Sequence, residues 1–269
     1  MDQSTFERFC EVVYEKSGIA INSNKIALVT ARVGKRMREL GLNDDREYLN
    51  LVLEDPNGEE IVHLLDVIST NVTSFFREKT HFDFFAETIA QWYSQGQRKF
   101  RFWCAAASTG EEPYSIAMTF LDKIGTGVTN MKILATDIST RVLAQCNEGI
   151  YSKQKLAGVP QSMVTRFFNY NHDRKESMFE VKNELRNIIT FSRLNLSKPP
   201  FPMQGPLDAI FCRNVMIYFD NSVRKNLLAE CYRLLKPEGY LFVGHAESLT
   251  GLLIGFKAVM PSVYVKPRQ

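Results

Sequence analysis

The stretch Phe100 to Met118, FRFWCAAASTGEEPYSIAM, limits what this chain can fold into more than any other. Phe100, Phe102, Trp103 and Cys104 suit a buried strand. Ala105, Ala106 and Ala107 then thin the chain to methyl groups, and Gly110 permits a turn that residues with a Cβ resist. Pro113 is preorganised for the first turn of a helix, where its missing N–H costs nothing. Strand, tight turn and helix start follow without a gap. Taken alone, this is either an ordinary βα corner or one whose small side chains let a flat ligand approach the backbone.

From residue 98 onward the same alternation recurs. Strands are predicted at Lys99 to Cys104, Lys132 to Ala135, Ile188 to Phe191, Leu207 to Cys212 and Tyr240 to Val243. Helices are predicted at Pro113 to Ile124, Thr140 to Asn147 and Ser222 to Leu235. Such alternation predicts an α/β fold with a doubly wound, mostly parallel sheet, which binds ligands at the carboxyl ends of its strands. Residues 149–187 interrupt it: a polar stretch, Asn169 to Glu176, lies between Phe167-Phe168 and Met178 to Val181. They are expected to form an inserted subdomain of short antiparallel strands around a turn, because aromatic content of this kind argues against disorder.

Residues 1–65 have helical periodicity, with Phe6, Phe9, Cys10 and Val13 on one stripe and Ile26, Val29, Val33, Met37 and Leu40 on a second. The second helix carries Lys25, Arg32, Lys35, Arg36 and Arg38 without an acid among them. That is either a solvated face or a docking face for an acidic partner. After a breaker at Asp55 to Gly58, an apolar run from Ile61 to Ile68 leads into STNVTSFFRE, which joins four hydroxyl side chains, an Asn, paired Phe residues and an Arg. The expected organisation is a helical domain at 1–65, a linker at 66–97, and the sheet domain at 98–269.

Composition closes off several functions. With 45% hydrophobic and 23% charged residues, the chain can bury a substantial core, and a net charge of +3 is too mild to imply nucleic acid. Apolar runs stay well short of the ~18 residues of a membrane span, and MDQSTFERFCEVV is not a signal peptide, so a cytoplasmic location is expected. Five scattered cysteines lack metal spacing and are expected to be reduced core thiols. His63, His81, His172 and His245 are dispersed, and neither a nucleophilic triad nor a GxGxxG turn is present. His245-Ala-Glu247 is half of a zinc-deaminase motif without its PCxxC. The loop CRNVMIYF lacks the motif with which nucleic-acid amino-methyltransferases hold an exocyclic amine.

The predicted strand ends supply Glu112, Asp137, Asn195, Arg213 and Asn214. An acid after the second strand is where a ribose diol is commonly held, although Asp137 could equally cap a helix. A nucleoside site without a general base suits methyl transfer from a sulfonium donor to a carboxylate. A glutamate side chain, with a pKa of about 4.3, is already ionised at neutral pH and needs only orientation.

TNVTSFFRE, WCAAASTGEEPYSIAM, ATDIS, IFCRNVMIY followed by FDNSV, and LLKPEGYLFVGHAESL together resemble the CheR-type chemotaxis receptor glutamate methyltransferases over nearly the whole chain. The resemblance implies a Rossmann-like methyltransferase sheet with a small antiparallel β-subdomain inserted, preceded by an all-α domain. It implies S-adenosylmethionine as cofactor, with S-adenosylhomocysteine as product. Asn71, Thr73 and Arg77 would line its pocket, Glu112 would hold the methionyl end, Asp137 the ribose, Asn195 and Leu196 the adenine, and Arg213 and Asn214 the floor. Arg77 and Tyr218 would orient the substrate glutamate, and Lys25 to Arg38 would dock the acidic, helical methylation region of a receptor. Members that tether a receptor C-terminal pentapeptide have a glycine-rich turn in the β-subdomain, whereas Asn169 to Ser177 contains no glycine. A sensing module that binds S-adenosylmethionine without chemistry is the alternative.

Overall fold

The computed structural model describes residues 1–22, 25–56, 58–68, 71–125, 130–171, 177–249, 251–252 and 255–268. The chain begins with α1 (Gln3–Ser17), α2 (Ile26–Leu40), α3 (Asp45–Glu54) and α4 (Glu59–Ile68). Asp2 caps α1 by accepting from the Thr5 N–H, and Asp44 caps α3 by accepting from that of Arg46. Phe6, Phe9, Val13, Val29, Val33, Met37, Tyr48 and Leu64 are buried together as one core. On the predicted stripe of α2 this covers Val29, Val33 and Met37, while Leu40 is exposed at its end.

Arg36 is not a surface cation. Its Nε and Nη2 donate to Glu60 Oε1 and Oε2 at 2.9 and 2.7 Å, and the Tyr48 hydroxyl donates to Glu60 at 2.8 Å. Burial alone would raise the Glu60 carboxyl, but the Arg36 fork and Tyr48 outweigh it and hold it below the ordinary value.

After α5 (Lys79–Ser94) come β1 (Lys99–Cys104), α6 (Glu111–Ile124), β2 (Asn130–Asp137) and α7 (Thr140–Glu148). β3 (Ile150–Ser152), α8 (Gln161–Phe167), β4 (Phe168–Asn171), β5 (Met178–Val181) and α9 (Asn183–Arg186) make up the insertion. β6 (Ile189–Arg193), β7 (Leu207–Phe211), α10 (Asn221–Leu234), β8 (Leu235–Phe242), β9 (Lys257–Met260) and β10 (Val263–Val265) complete the chain. The main sheet has seven strands in the order β6-β2-β1-β7-β8-β10-β9, parallel from β6 to β8 and antiparallel in the last hairpin. It is the doubly wound, Rossmann-like sheet that the alternation predicts. The β9–β10 hairpin was outside the predicted strands.

The pleat of β1 separates two cores. Phe102 and Cys104 point to the side covered by α5 and α6, and Trp103 to the side covered by α10. Phe211 and Phe242 stack with centroids 4.3 Å apart on the first side, where Phe85 meets both edge-on. α5 lies in the stretch predicted as linker; its Phe82, Phe85, Ile89 and Trp92 are buried against the sheet. α6 begins at Glu111, two residues before the prediction, because Gly110 turns the chain at φ 98° and places both glutamates in the first turn.

The insertion forms a three-stranded antiparallel sheet, β3-β5-β4. Phe75 packs edge-on against Tyr151 at 4.9 Å and Phe168 at 5.9 Å, which joins the segment before α5 to this subdomain. Most of its glycine-free turn, residues 172–176, lies outside the described residues, as do Ser69 and Thr70 of the STNVTSFFRE motif and Asn57 of the breaker. Among the described residues no helix is long and apolar enough to cross a membrane.

Arg36→Ala should destabilise the protein by about 3 kcal/mol, because Glu60 is left buried without its cation, while Lys35→Ala and Arg38→Ala should stay within about 0.5 kcal/mol. Since Glu60 is held low, its contribution is complete above the ordinary carboxylate pKa and fades as pH falls through its lowered one. Urea unfolding followed by far-UV circular dichroism checks both, and equal effects from the three variants would remove the structural role of Arg36.

Candidate active site

The carboxyl ends of β1, β2 and β7 open onto a cavity of about 940 Å³, counted to its open mouth. Its walls come from distant parts of the chain. Asn71, Thr73 and Arg77 precede α5, Glu112 opens α6, Asp137 ends β2, and Asn195 and Leu196 follow β6. Arg213, Asn214 and Tyr218 come from the loop after β7. All ten residues predicted for the cofactor site or for orienting a substrate therefore line one space.

The alanine corner forms the closest wall. The Ala105 N–H donates to Phe211 O and the Ala107 N–H to Thr136 O, both at 2.8 Å, so the corner is pinned to the neighbouring strands. A Cβ at Gly110 would lie 2.5 Å from the Tyr151 hydroxyl oxygen, which leaves room for glycine alone. Asp137 Oδ2 accepts from the Ser108 N–H at 2.9 Å and Oδ1 from the Ser139 N–H at 3.0 Å. Each oxygen keeps a lone pair for a further donor. Burial raises its pKa, against the pull of these backbone donors. The N-cap of α7 is Ser139, whose Oγ accepts from the Val142 N–H at 3.2 Å, so Asp137 does not cap that helix.

A buried chain of charges runs behind the wall. Arg213 is 4% exposed, and its Nη1 donates to Glu112 Oε2 at 2.7 Å while its Nη2 donates to Glu78 Oε2 at 3.0 Å and to the Arg77 carbonyl. The Cys104 thiol donates to the other Glu112 oxygen at 3.2 Å. Burial raises the Glu112 carboxyl, only partly countered by Arg213. In Glu78 the balance falls the other way: burial would raise it, but Arg213 prevails and lowers it. Arg213 is thus less a floor than a strut that ties α6, α5 and β7 together.

Glu247 holds the loop that carries Arg213, Asn214 and Tyr218. Its Oε1 accepts from the N–H groups of Val215 and Met216 at 2.9 and 2.7 Å, and its Oε2 from those of Asn214 and Gly244 at 2.9 and 2.5 Å. Four non-glycine residues around the site have left-handed backbone: Phe76 (φ 53°), Glu78 (φ 58°), Ser108 (φ 50°) and Asn214 (φ 57°). Each such conformation costs about 1 kcal/mol or more and persists where surrounding contacts over-determine it. Sequence patterns did not single out Glu78, which lies inside TNVTSFFRE, and noted Glu247 only beside His245 in an incomplete zinc-deaminase motif, not as the anchor of this loop.

The helical region closes the cavity from the other side. Ser17, Ile19 and Ile68 line it, and Asn195 donates its amide to Lys16 O at 2.7 Å. The Ala20 N–H donates to Tyr218 O at 2.9 Å. Tyr218 also borders a second groove of about 390 Å³ formed with Lys25, Leu28 and Arg32. The predicted docking cations are not equivalent: Lys25, Lys35 and Arg38 are exposed, Arg32 donates to the Ile68 carbonyl, and Arg36 is committed to Glu60.

Comparison with known proteins divides the chain near residue 70. Residues 4–69 match the family described as CheR methyltransferase, all-alpha domain, and residues 71–265 match CheR methyltransferase, SAM binding domain. The chain is 38% identical over 264 residues to the chemotaxis protein methyltransferase of Salmonella typhimurium, covering 98% of this chain and 90% of that one. The Escherichia coli chemotaxis protein methyltransferase is also 38% identical, covering 98% of this chain and 91% of its own. Chemotaxis protein methyltransferase 2 of Pseudomonas aeruginosa is 38% identical over 259 residues, 96% of this chain and 91% of that one. With both of its parts matched and its Rossmann-like sheet in place, the chain belongs to the CheR methyltransferase family, with S-adenosylmethionine as its cofactor.

Proposed function

We propose that this protein transfers the methyl group of S-adenosylmethionine to glutamate side-chain carboxylates of chemotaxis receptors, leaving glutamate methyl esters and S-adenosylhomocysteine. The observation that carries this reading is the composition of the cavity. Its lining among the described residues includes two buried carboxylates, two arginines and a tyrosine, and no histidine, lysine or cysteine. That is a binding and orienting surface without a base poised for neutral pH.

The residues fit the cofactor. The buried Ser108 Oγ has no hydrogen-bond partner among the described residues, so the wall has polar capacity to spare. Asp137 would take the ribose hydroxyls on its free lone pairs, and Glu112 the methionyl ammonium. Asn195 and Leu196 would border the adenine, with the amide of Asn195 itself spent on Lys16 and Ser197. Asn71, Thr73 and Arg77 would cap the site above Arg213 and Asn214. When bound, the cofactor supplies an electrophilic methyl group on a sulfonium.

The remaining task for the protein is to position a carboxylate. Arg77 commits Nη1 to the Val72 carbonyl at 3.0 Å, which fixes the guanidinium and leaves other N–H donors for the acceptor oxygens. Tyr218 stands between the cavity and the groove beside α2, where its hydroxyl can share that role. The exposed Lys25, Lys35 and Arg38 suit the acidic, helical methylation region of a receptor, and would recruit a cytoplasmic enzyme to membrane receptors. We assign recognition to α2 and not to a receptor C-terminal pentapeptide, because the β-subdomain turn lacks glycine.

With labelled cofactor and a receptor fragment, label should appear in base-labile methyl esters; a sensing module would give none. Arg77→Ala should lower kcat/KM for the fragment about 100-fold, as expected when a charge-assisted orienting contact is lost. Asp137→Ala should weaken cofactor binding roughly 10–100-fold, measured by calorimetry, and an unchanged affinity would remove it from the site. Burial raises Glu112 and Asp137, so on acidification they take up protons before an ordinary carboxylate would. Activity should therefore fall on the acid side, starting above the ordinary carboxylate range, and level off on the alkaline side, where the acceptor is ionised. An alkaline-rising limb near neutrality would instead point to a general base.

A further inference from the structure

Behind Arg213 lies a group of side chains that methyl transfer does not use. Glu78, the left-handed N-cap of α5, and His81, three residues on, share one edge of its first turn. His245, from the loop after β8, meets the His81 ring edge-to-face with centroids 4.8 Å apart. His81 Nδ1 lies 3.4 Å from Glu78 Oε2, and His245 Nε2 lies 4.0 Å from the same oxygen. One ligand atom from each of the three stands within 4.8 Å of the others.

His81 makes this more than a chance cluster. It is fully buried, and neither ring nitrogen has a well-formed hydrogen bond among the described residues, although the Pro261 backbone lies near the ring. Leaving such a group poorly paired is costly, which calls for a partner.

We propose that Glu78, His81 and His245 form a site for a divalent transition metal of the zinc class. Two imidazole nitrogens and one carboxylate oxygen favour zinc over magnesium or calcium, which prefer oxygen alone. With metal–ligand bonds of ~2.0–2.1 Å, neighbouring ligands of a tetrahedral ion stand roughly 3.3 Å apart, close to the His81–Glu78 separation. His245 is half-exposed and free to close the remaining distance, and its open side leaves the fourth position to water. Arg213 takes one lone pair of Glu78 Oε2 and is shared with Glu112, so two carboxylates face one guanidinium and a metal would compete with it for Glu78. Sequence spacing conceals the group because His245 comes from the far end of the sheet domain.

The test is calorimetric titration of the purified, metal-free full-length protein with ZnCl₂. The wild type should show one saturable site that MgCl₂ does not compete for. His245→Ala, verified as folded by circular dichroism, should bind zinc roughly tenfold or more weakly. Co²⁺ should give d–d absorption in the wild type that the variant loses. No saturable zinc binding to the wild type, or equal binding in wild type and His245→Ala, would overturn the proposal.

Discussion

The structure around the cavity depends on one buried guanidinium. Arg213 joins Glu112 at the start of α6, Glu78 and the Arg77 carbonyl at the start of α5, and its own place at the end of β7. Three elements that the chain delivers separately meet on this one side chain. A buried ion pair adds little stability compared with a well-packed apolar alternative, yet losing one partner is costly because a charge is left stranded. Such an arrangement enforces geometry more than it adds stability. The segment carrying Asn71, Thr73 and Arg77 is held against the sheet by it, which is why a linker can serve as a wall.

Glu247 does for backbone what Arg213 does for side chains. Four N–H groups converge on its carboxylate, two from residues just after Asn214. Together they account for the left-handed Asn214 and for the short 3₁₀ turn Met216–Tyr218, which sets Tyr218 between the cavity and the groove of α2. Non-glycine residues in left-handed conformations cluster here because the surroundings leave the backbone no alternative.

Local pattern accounts for how much of this was legible in the sequence. The βα corner, the alternation of strands and helices, the acid after β2 and the apolar stripes of α1 and α2 all follow from spacing of a few residues. What depends on long-range pairing was not. Glu112 and Arg213 are 101 residues apart, and Arg36 and Glu60 are 24 apart; nothing in either neighbourhood announces its partner. Arg36 therefore looked equivalent to Lys35 and Arg38, although its pairing with the buried Glu60 ties it to the helical core. α5 escaped because it directly follows a motif rich in turn-forming hydroxyls, and the β9–β10 hairpin because its strands are short and adjoin turn residues. The family resemblance supplied the site residues that spacing alone left open.

The contact between Gly110 and Tyr151 bears on how this architecture can be recombined. The Tyr151 hydroxyl donates to the Thr109 carbonyl at 2.8 Å and occupies the space where a Cβ at position 110 would stand. The inserted β-subdomain therefore reaches into the first turn of the cofactor corner. It is not a detachable accessory: a chimera that exchanged it between relatives would have to carry the glycine and the tyrosine as a matched pair. Diversification of that subdomain is constrained at its root.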